Sequence, residues 1–142
     1  MTYFVKSFRF LQSTAWVIVL LVLVLLSSCS TPPRIVVEPP SQDLGEVPQK
    51  PLELIYTIHN EGGSELIIEK ISTSCGCTYA EIDKNVILPG ETASLFVTLD
   101  PTEDNLFGNL MRVIYLRSND PQTPEAVAEF RVIILKPEGS SP

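Results

Sequence analysis

The most concentrated chemical signature in the sequence is a pair of cysteines separated by one glycine, Cys75-Gly76-Cys77. The apolar run 66–71, which leads into the pair, is typical of a strand. Side chains at positions i and i+2 of a strand point to the same face, so the two sulfurs would start as neighbours. The pair therefore has the residue types and the spacing for a disulfide, for thiol redox chemistry or for binding a soft metal ion.

The sequence favours a structural role for Cys75 and Cys77, as a disulfide or as two small buried side chains. In an extended chain, the distance between the Cα atoms of residues i and i+2 is near the upper limit for a disulfide. Gly76 permits the local bend that closure of the disulfide requires. Disulfides persist in oxidising locations outside the cytoplasm. Acylation of the third cysteine, Cys29, would leave an even number of thiols.

Redox chemistry and metal binding are the alternative interpretations of this pair. Strained, exposed disulfides have higher reduction potentials, but catalytic pairs are usually spaced Cys-x-x-Cys at a helix start, where the helix dipole lowers the thiol pKa. Two thiolates on one face suit Cu(I). A closed zinc site needs four ligands, and the sequence has one histidine, His59, in a different segment. We predict no metal site and no cofactor.

No other residues form a recognisable catalytic constellation. His59 is expected to be a surface residue beside a turn, because no nucleophile elbow accompanies it. The sequence contains no Gly-rich phosphate loop, no His-Glu-x-x-His motif and no calcium-loop spacing. Asn60 and Asn119 are expected to stabilise turns. The sequence therefore predicts a protein that is not an enzyme, with redox activity of the cysteine pair left open.

The N-terminal residues 1–28 are predicted to be a lipoprotein signal peptide. A basic start is followed by an unbroken apolar run, 16–26, that is too short for a comfortable membrane span. The tetrad Leu26-Ser27-Ser28-Cys29 resembles the bacterial lipobox, whose cysteine is acylated and becomes the new N-terminus. We predict that Cys29 carries the lipid and anchors the protein, since each buried methylene contributes ~0.8 kcal/mol. The alternative is a plain secretory signal.

The residue after the cysteine and the overall charge bear on location and partners. In lipoproteins of bacteria with two membranes, which this sequence resembles, a residue such as Ser30 after the cysteine implies anchoring in the outer membrane. The protein would then face the periplasm. The alternative location is the outer face of the cytoplasmic membrane. The sequence has 17 Asp and Glu against 10 Lys and Arg. An acidic surface without a basic cluster repels phosphate backbones, so nucleic acid is excluded as a partner.

The remaining chain divides into a tether and one β domain. Residues 29–43 are proline-rich and are predicted to be an extended tether, in which 34–38 could form an edge strand. Residues 44–136 are predicted to be the domain, and 137–142 a loose tail. Apolar and polar residues alternate within the domain, and turn signals separate the segments. We predict about seven strands in an all-β immunoglobulin-like sandwich, with a small closed barrel as the alternative.

Four segments in order carry a family resemblance: Ile-His-Asn-Glu-Gly at 58–62, Ile-Ser-Thr-Ser-Cys-Gly-Cys-Thr at 71–78, Leu-Pro-Gly-Glu at 88–91 and Leu-Arg-Ser-Asn-Asp-Pro at 116–121. The sequence over about 44–135 resembles the bacterial domain of unknown function 1573 family. That family is similar to Hydin-type and major-sperm-protein-like immunoglobulin domains. The resemblance implies a β-sandwich that is often exported or lipid-anchored, and it implies no established activity.

These observations predict a membrane-anchored envelope lipoprotein that binds or scaffolds another envelope protein without catalysis. An open sheet edge or a sandwich face would bind the partner. The alternative is an envelope thiol-disulfide or copper-handling protein that uses Cys75 and Cys77.

Overall fold

The computed structural model describes residues 31–136, and the predicted signal peptide, Cys29 and the tail 137–142 lie outside this range. The described residues form nine strands: β1 (Ile35–Glu38), β2 (Ser41–Pro48), β3 (Leu52–Asn60), β4 (Leu66–Thr73), β5 (Thr78–Ile82), β6 (Val86–Ile87), β7 (Thr92–Leu99), β8 (Gly108–Ser118) and β9 (Glu125–Leu135). This part of the chain contains no helix. Accordingly, a helix with the length and apolarity to span a membrane is not found there.

The strands form two sheets, which confirms the predicted all-β sandwich. The four-stranded sheet has the order β1-β3-β7-β5, and the five-stranded sheet has the order β2-β9-β8-β4-β6. All neighbouring strands are antiparallel except β2 and β9, which run parallel. Two separate sheets with free edges are a sandwich and not the closed barrel considered as the alternative.

The core is built from strand positions that alternate with solvent-facing ones. In β3 the inward residues are Leu54, Tyr56 and Ile58, and the partner positions of β7 and the facing strands β8 and β9 are equally buried. Each large apolar side chain that is fully buried contributes roughly 1.5–3 kcal/mol. The Tyr56 hydroxyl donates a hydrogen bond of 2.8 Å to the Glu129 carbonyl oxygen, and this bond joins the two sheets through the core.

The domain has more strands than the sequence indicates and begins earlier. β1 and β2 belong to the sandwich, so residues 35–43, which the sequence assigned to the tether, are part of the sheets. A cis peptide bond joins Glu38 to Pro39 where the chain passes from one sheet to the other. β2 and β5 are the strands that the sequence pattern did not indicate. In β2 the register shifts between Asp43 and Glu46, around Gly45, which has a φ of 61°.

One end of the sandwich, called the Asn60 end, is held by polar side chains. Asn60 is 1% exposed; its amide nitrogen donates to the carbonyls of Ser64 and Ile87, and its oxygen accepts from the backbone nitrogen of Gly62. Asn119 bonds the backbone of β4 at Ile67. These bonds confirm that Asn60 and Asn119 act as architectural turn residues.

Candidate functional site

The cysteine pair lies at a corner where the chain changes sheets, at the end of the sandwich opposite Asn60. The turn Ser74–Cys77 joins β4 of the five-stranded sheet to β5 of the four-stranded sheet. Cys75 and Cys77 form a disulfide with their Cα atoms 5.4 Å apart. The Thr78 amide donates a 3.2 Å hydrogen bond to the Cys75 carbonyl, which closes the turn. The pair is therefore in a turn and not in the extended strand that the spacing suggested.

The surroundings of the disulfide are those of a structural element. Cys77 is 1% exposed, and Cys75 is partly buried against the core. The Thr73 hydroxyl lies within hydrogen-bond distance of the carbonyl oxygens of Cys75 and Thr78, at 3.0 and 2.9 Å. An added Cβ at Gly76 would meet no atom within 4 Å, so the corner does not require glycine for space.

An acidic loop packs against this corner. The loop 100–107 connects β7 to β8, and the Asp100 amide donates a 3.1 Å hydrogen bond to the Cys77 carbonyl. The ligand atoms of Cys75, Cys77 and Asp104 all lie within 4.8 Å of one another. A neighbouring carboxylate disfavours a thiolate, so a reduced pair here would be a poor nucleophile. Disulfide sulfurs supply no thiolate ligands, and three groups fall short of a closed zinc site.

Tyr79 shows the electrostatic effect of the same loop. Its hydroxyl donates a 3.2 Å hydrogen bond to the Glu103 carboxylate. This hydrogen bond, together with the charges of Glu103, Asp100 and Asp104, raises the pKa of the Tyr79 hydroxyl. The disulfide end of the sandwich is thus strongly negative.

A groove of about 350 Å³ lies between β4 and β5, next to the disulfide corner. Its apolar lining comes from inward-facing positions of the two strands, and its polar lining from the rim. The apolar residues are Ile68, Ile71, Ala80 and Ile82, and the polar ones are Glu69, Lys70, Glu81 and Asn85. The groove therefore combines a few apolar side chains with a largely polar lining that carries charges of both signs.

Both strands that flank the groove have unpaired edges. β6 pairs with β4 only at Leu66 and Ile67, and β5 is the last strand of its sheet among the described residues. The Asp83 amide donates to the Ser94 carbonyl of β7. Because bonding alternates along an antiparallel strand, the peptide groups of Ala80 and Ile82 point away from β7. A free edge of this kind is a template for another strand.

The structure separates the residues that the sequence singled out. His59 lies on the outer face of β3 with its Nε2 3.1 Å from a Glu38 carboxylate oxygen, near the Asn60 end and away from the cysteines. The groove and Asp104 were not identified from the sequence. Neither has a local signal, because each depends on which strands and loops become neighbours.

Comparison with known proteins shows the fold and the family. A protein of unknown function from Porphyromonas gingivalis W83 superposes with a TM-score of 0.68 at 19% identity, over 75% of this chain and 49% of that one. The VesB protease of Vibrio cholerae superposes with a TM-score of 0.60 at 14% identity, over 70% of this chain and 31% of that one. This chain thus spans about half, or less, of the length of these two proteins.

A third similar structure is the ASH/PapD-like domain 7 of human CEP192, with a TM-score of 0.55 at 9% identity. The superposition covers 75% of this chain and 89% of that domain. At such identities the likeness concerns the fold alone. A search of curated proteins finds no significant match.

The model of the family described as protein of unknown function (DUF1573) matches residues 35–131. The predicted resemblance is thereby confirmed, and the chain belongs to the DUF1573 family.

Proposed function

We propose that this protein is a lipid-anchored, non-enzymatic binding module of the bacterial envelope. The observation that carries the binding role is the groove between the unpaired edges of β4 and β5. An extended segment of a partner protein would add as a strand to β5 and place alternate apolar side chains in the groove. Main-chain hydrogen bonds to Ala80 and Ile82 would supply affinity, and Ile68 and Ile71 would select apolar residues.

A photo-crosslinking experiment tests this binding mode in cells. A photoreactive amino acid replaces Glu69 on the groove rim, and in a control protein it replaces Glu125, an exposed glutamate of β9 in the same sheet. We expect a discrete crosslinked product from position 69 and none from position 125. Equal products from both positions, or none from either, would contradict the proposal.

A second variant shows whether the partner pairs with the edge of β5. Ala80→Pro removes an outward amide without removing a bond to β7, and proline is tolerated at such edge positions. Ala80→Ser alters the same side chain and keeps the amide. The crosslink at position 69 should disappear in Ala80→Pro and persist in Ala80→Ser. A crosslink that survives the proline would refute strand addition at β5.

The proposed anchor is tested separately. Cys29 lies outside the described residues, and its acylation is supported by the lipobox resemblance of Leu26-Ser27-Ser28-Cys29. We predict that wild-type protein partitions into the detergent phase and that Cys29→Ala moves it to the aqueous phase, because the acyl chains are lost. Fractionation of inner and outer membranes then tests the proposed outer-membrane location. An unchanged detergent partition of Cys29→Ala would remove the anchor from the proposal.

The alternative function, thiol-disulfide or copper handling, is favoured by the partial exposure of Cys75. A double replacement of Cys75 and Cys77 by serine distinguishes the two. The binding module should retain its crosslink at position 69. A redox or copper protein would lose its function, and reduced wild-type protein would bind Cu(I) in a titration that the double variant fails.

A further inference from the structure

The outer face of the four-stranded sheet exposes a cluster of large apolar side chains. Ile55 of β3 is paired in register with Phe96 of β7, and Phe96 with Glu81 of β5. Tyr79, two residues before Glu81, lies on the same face, diagonal to Phe96. Ile55, Phe96 and Tyr79 are 58%, 47% and 55% exposed. Exposed clusters of this kind mark interaction sites.

The charged side chains on this face are carboxylates, apart from His59, whose Nε2 lies 3.1 Å from a Glu38 carboxylate oxygen. None of the four strands of the sheet contains a lysine or an arginine, whereas Glu38, Glu53 and Glu81 occupy exposed positions on them. The acidic loop 100–107 adds Glu103, which accepts the hydrogen bond from Tyr79. The basic residues that flank β3 and β5 in sequence are Lys50 and Lys84, and Lys84 is engaged with Glu91 at 2.8 Å.

The opposite face of the sandwich lacks this asymmetry. The five-stranded sheet also exposes apolar side chains, among them Met111 and Val127. Its strands carry both signs of charge, however, with Lys70, Arg117 and Arg131 in the same sheet as several glutamates. The combination of exposed aromatic rings with carboxylates, and without lysine or arginine, is thus a property of the strands of one face.

We propose that the outer face of the four-stranded sheet is a second binding surface, which takes a cationic polypeptide segment bearing lysine or arginine next to apolar residues. The rings of Phe96 and Tyr79 would cover the apolar side chains and stack against cations. Glu53, Glu81 and Glu103 would pair with the positive charges and speed association. This surface shares Glu81 with the rim of the groove but is otherwise formed by different residues, and its proposed binding does not depend on the groove.

Charge also argues against other occupants. A second copy of this chain stacked face to face would bring like carboxylates together, which is repulsive. An anionic membrane surface would be repelled for the same reason. A cationic polypeptide is the occupant whose charge and apolar character both match the face.

The test measures binding of two fluorescent peptides to the full chain in nonionic detergent, by fluorescence anisotropy with empty micelles as the blank. One peptide alternates lysine with leucine, and the other alternates glutamate with leucine. We expect the lysine peptide to bind, with an affinity that falls as salt is added, and the glutamate peptide not to bind. Equal binding of both peptides would overturn the proposal.

Matched variants locate the site. Phe96→Ser should weaken binding of the lysine peptide about tenfold, because it removes buried aromatic contact. Met111→Ser removes a side chain of nearly equal exposure, 48% against 47%, from the opposite face and should leave the affinity unchanged. Equal effects of the two substitutions would overturn the assignment, and so would a loss of binding in Ala80→Pro, which would place the peptide in the groove.

Discussion

At the scale of single residues, Asp120 joins β1 to the loop that follows β8. Asp120 is 1% exposed, and one carboxylate oxygen accepts a 2.9 Å hydrogen bond from the Ile35 amide. The other oxygen accepts from the amides of Gln122 and Thr123 at 2.8 and 3.1 Å. Burial acts to raise the pKa of Asp120, but these hydrogen bonds and the charge of Arg34 prevail, so the pKa is lowered.

We predict that Asp120→Ala lowers the free energy of unfolding by about 3 kcal/mol at neutral pH, because buried amides lose an ionised acceptor. The lowered pKa adds a pH dependence. The stabilisation that ionised Asp120 gives the folded state is complete above the ordinary aspartate pKa of 3.8. It is lost as the pH falls through the lower pKa that Asp120 has in the folded state. Urea unfolding from pH 7 to pH 2 measures both effects. Asp43→Asn, at an exposed position, is the control and should change stability little.

Tyr56 gives the corresponding effect at high pH. Burial, with a smaller contribution from Glu129, raises the pKa of Tyr56 to about 12. The folded state therefore favours the neutral phenol, and this stabilisation is full below pH 10 and is lost as the pH rises through 12. Tyr56→Phe should cost about 1 kcal/mol at neutral pH through the lost hydrogen bond. It should also flatten the loss of stability above pH 10, and an equally steep loss in the variant would contradict this assignment.

At the scale of elements, the turn Ser74–Cys77 is cross-linked over a very short span. Because a disulfide constrains the unfolded chain less as the closed loop shortens, Cys75→Ser/Cys77→Ser should cost only about 1.5 kcal/mol. Thermal unfolding of wild type and double variant checks this value. Alkylation of native wild-type protein should label neither cysteine before reduction, and labelling of both would show free thiols instead.

Gly62 is needed where the segment 31–34 crosses the turn after β3. A Cβ at Gly62 would overlap the Pro32 carbonyl oxygen and lie 2.6 Å from the Arg34 nitrogen. We predict that Gly62→Ala lowers stability by about 2 kcal/mol, because backbone must shift to admit the methyl group. Gly76→Ala, where a Cβ meets no atom within 4 Å, is the control in the same denaturation experiment. Equal losses in both variants would contradict the proposed steric cause.

The strands that could be predicted from the sequence are those with one apolar and one polar face. β3 and β7 alternate because one face packs on the core and the other meets solvent. β2 has no such alternation, since a register shift at Gly45 interrupts it, and pairing with β9 makes it a strand. β5 is concealed because Thr78 and Ala80, two of its inward positions, are polar or small.

The candidate site could be predicted only where its chemistry is local. Cys75 and Cys77 are neighbours in sequence, so their disulfide was foreseeable. The groove forms because β6 pairs with only two residues of β4 and because β5 is an edge strand, and both facts depend on long-range pairing. The approach of Asp104 to the sulfurs depends equally on how the loop 100–107 folds back.

At the scale of the whole molecule, the two sheets divide the chain's charge unequally. The sequence carries a net charge of −7, and the strands of the four-stranded sheet contribute carboxylates with no lysine or arginine. Like charges on this sheet oppose edge-to-edge pairing between copies, which protects the unpaired edge of β5 from self-association. Such repulsion would leave the same edge accessible to the partner proposed above.

The pairing of β1 gives the domain a mechanical property. β1 runs antiparallel to β3 from Ile35 to Glu38. At its start the Ile35 amide donates a hydrogen bond to the Asp120 carboxylate, and the Glu61 amide donates one to the Arg34 carbonyl. Hydrogen bonds between strands are perpendicular to the strand axis. Tension applied to the chain before Ile35 along that axis loads these bonds together in shear and not one after another. A domain pulled from this side therefore holds until β1 slides as a unit.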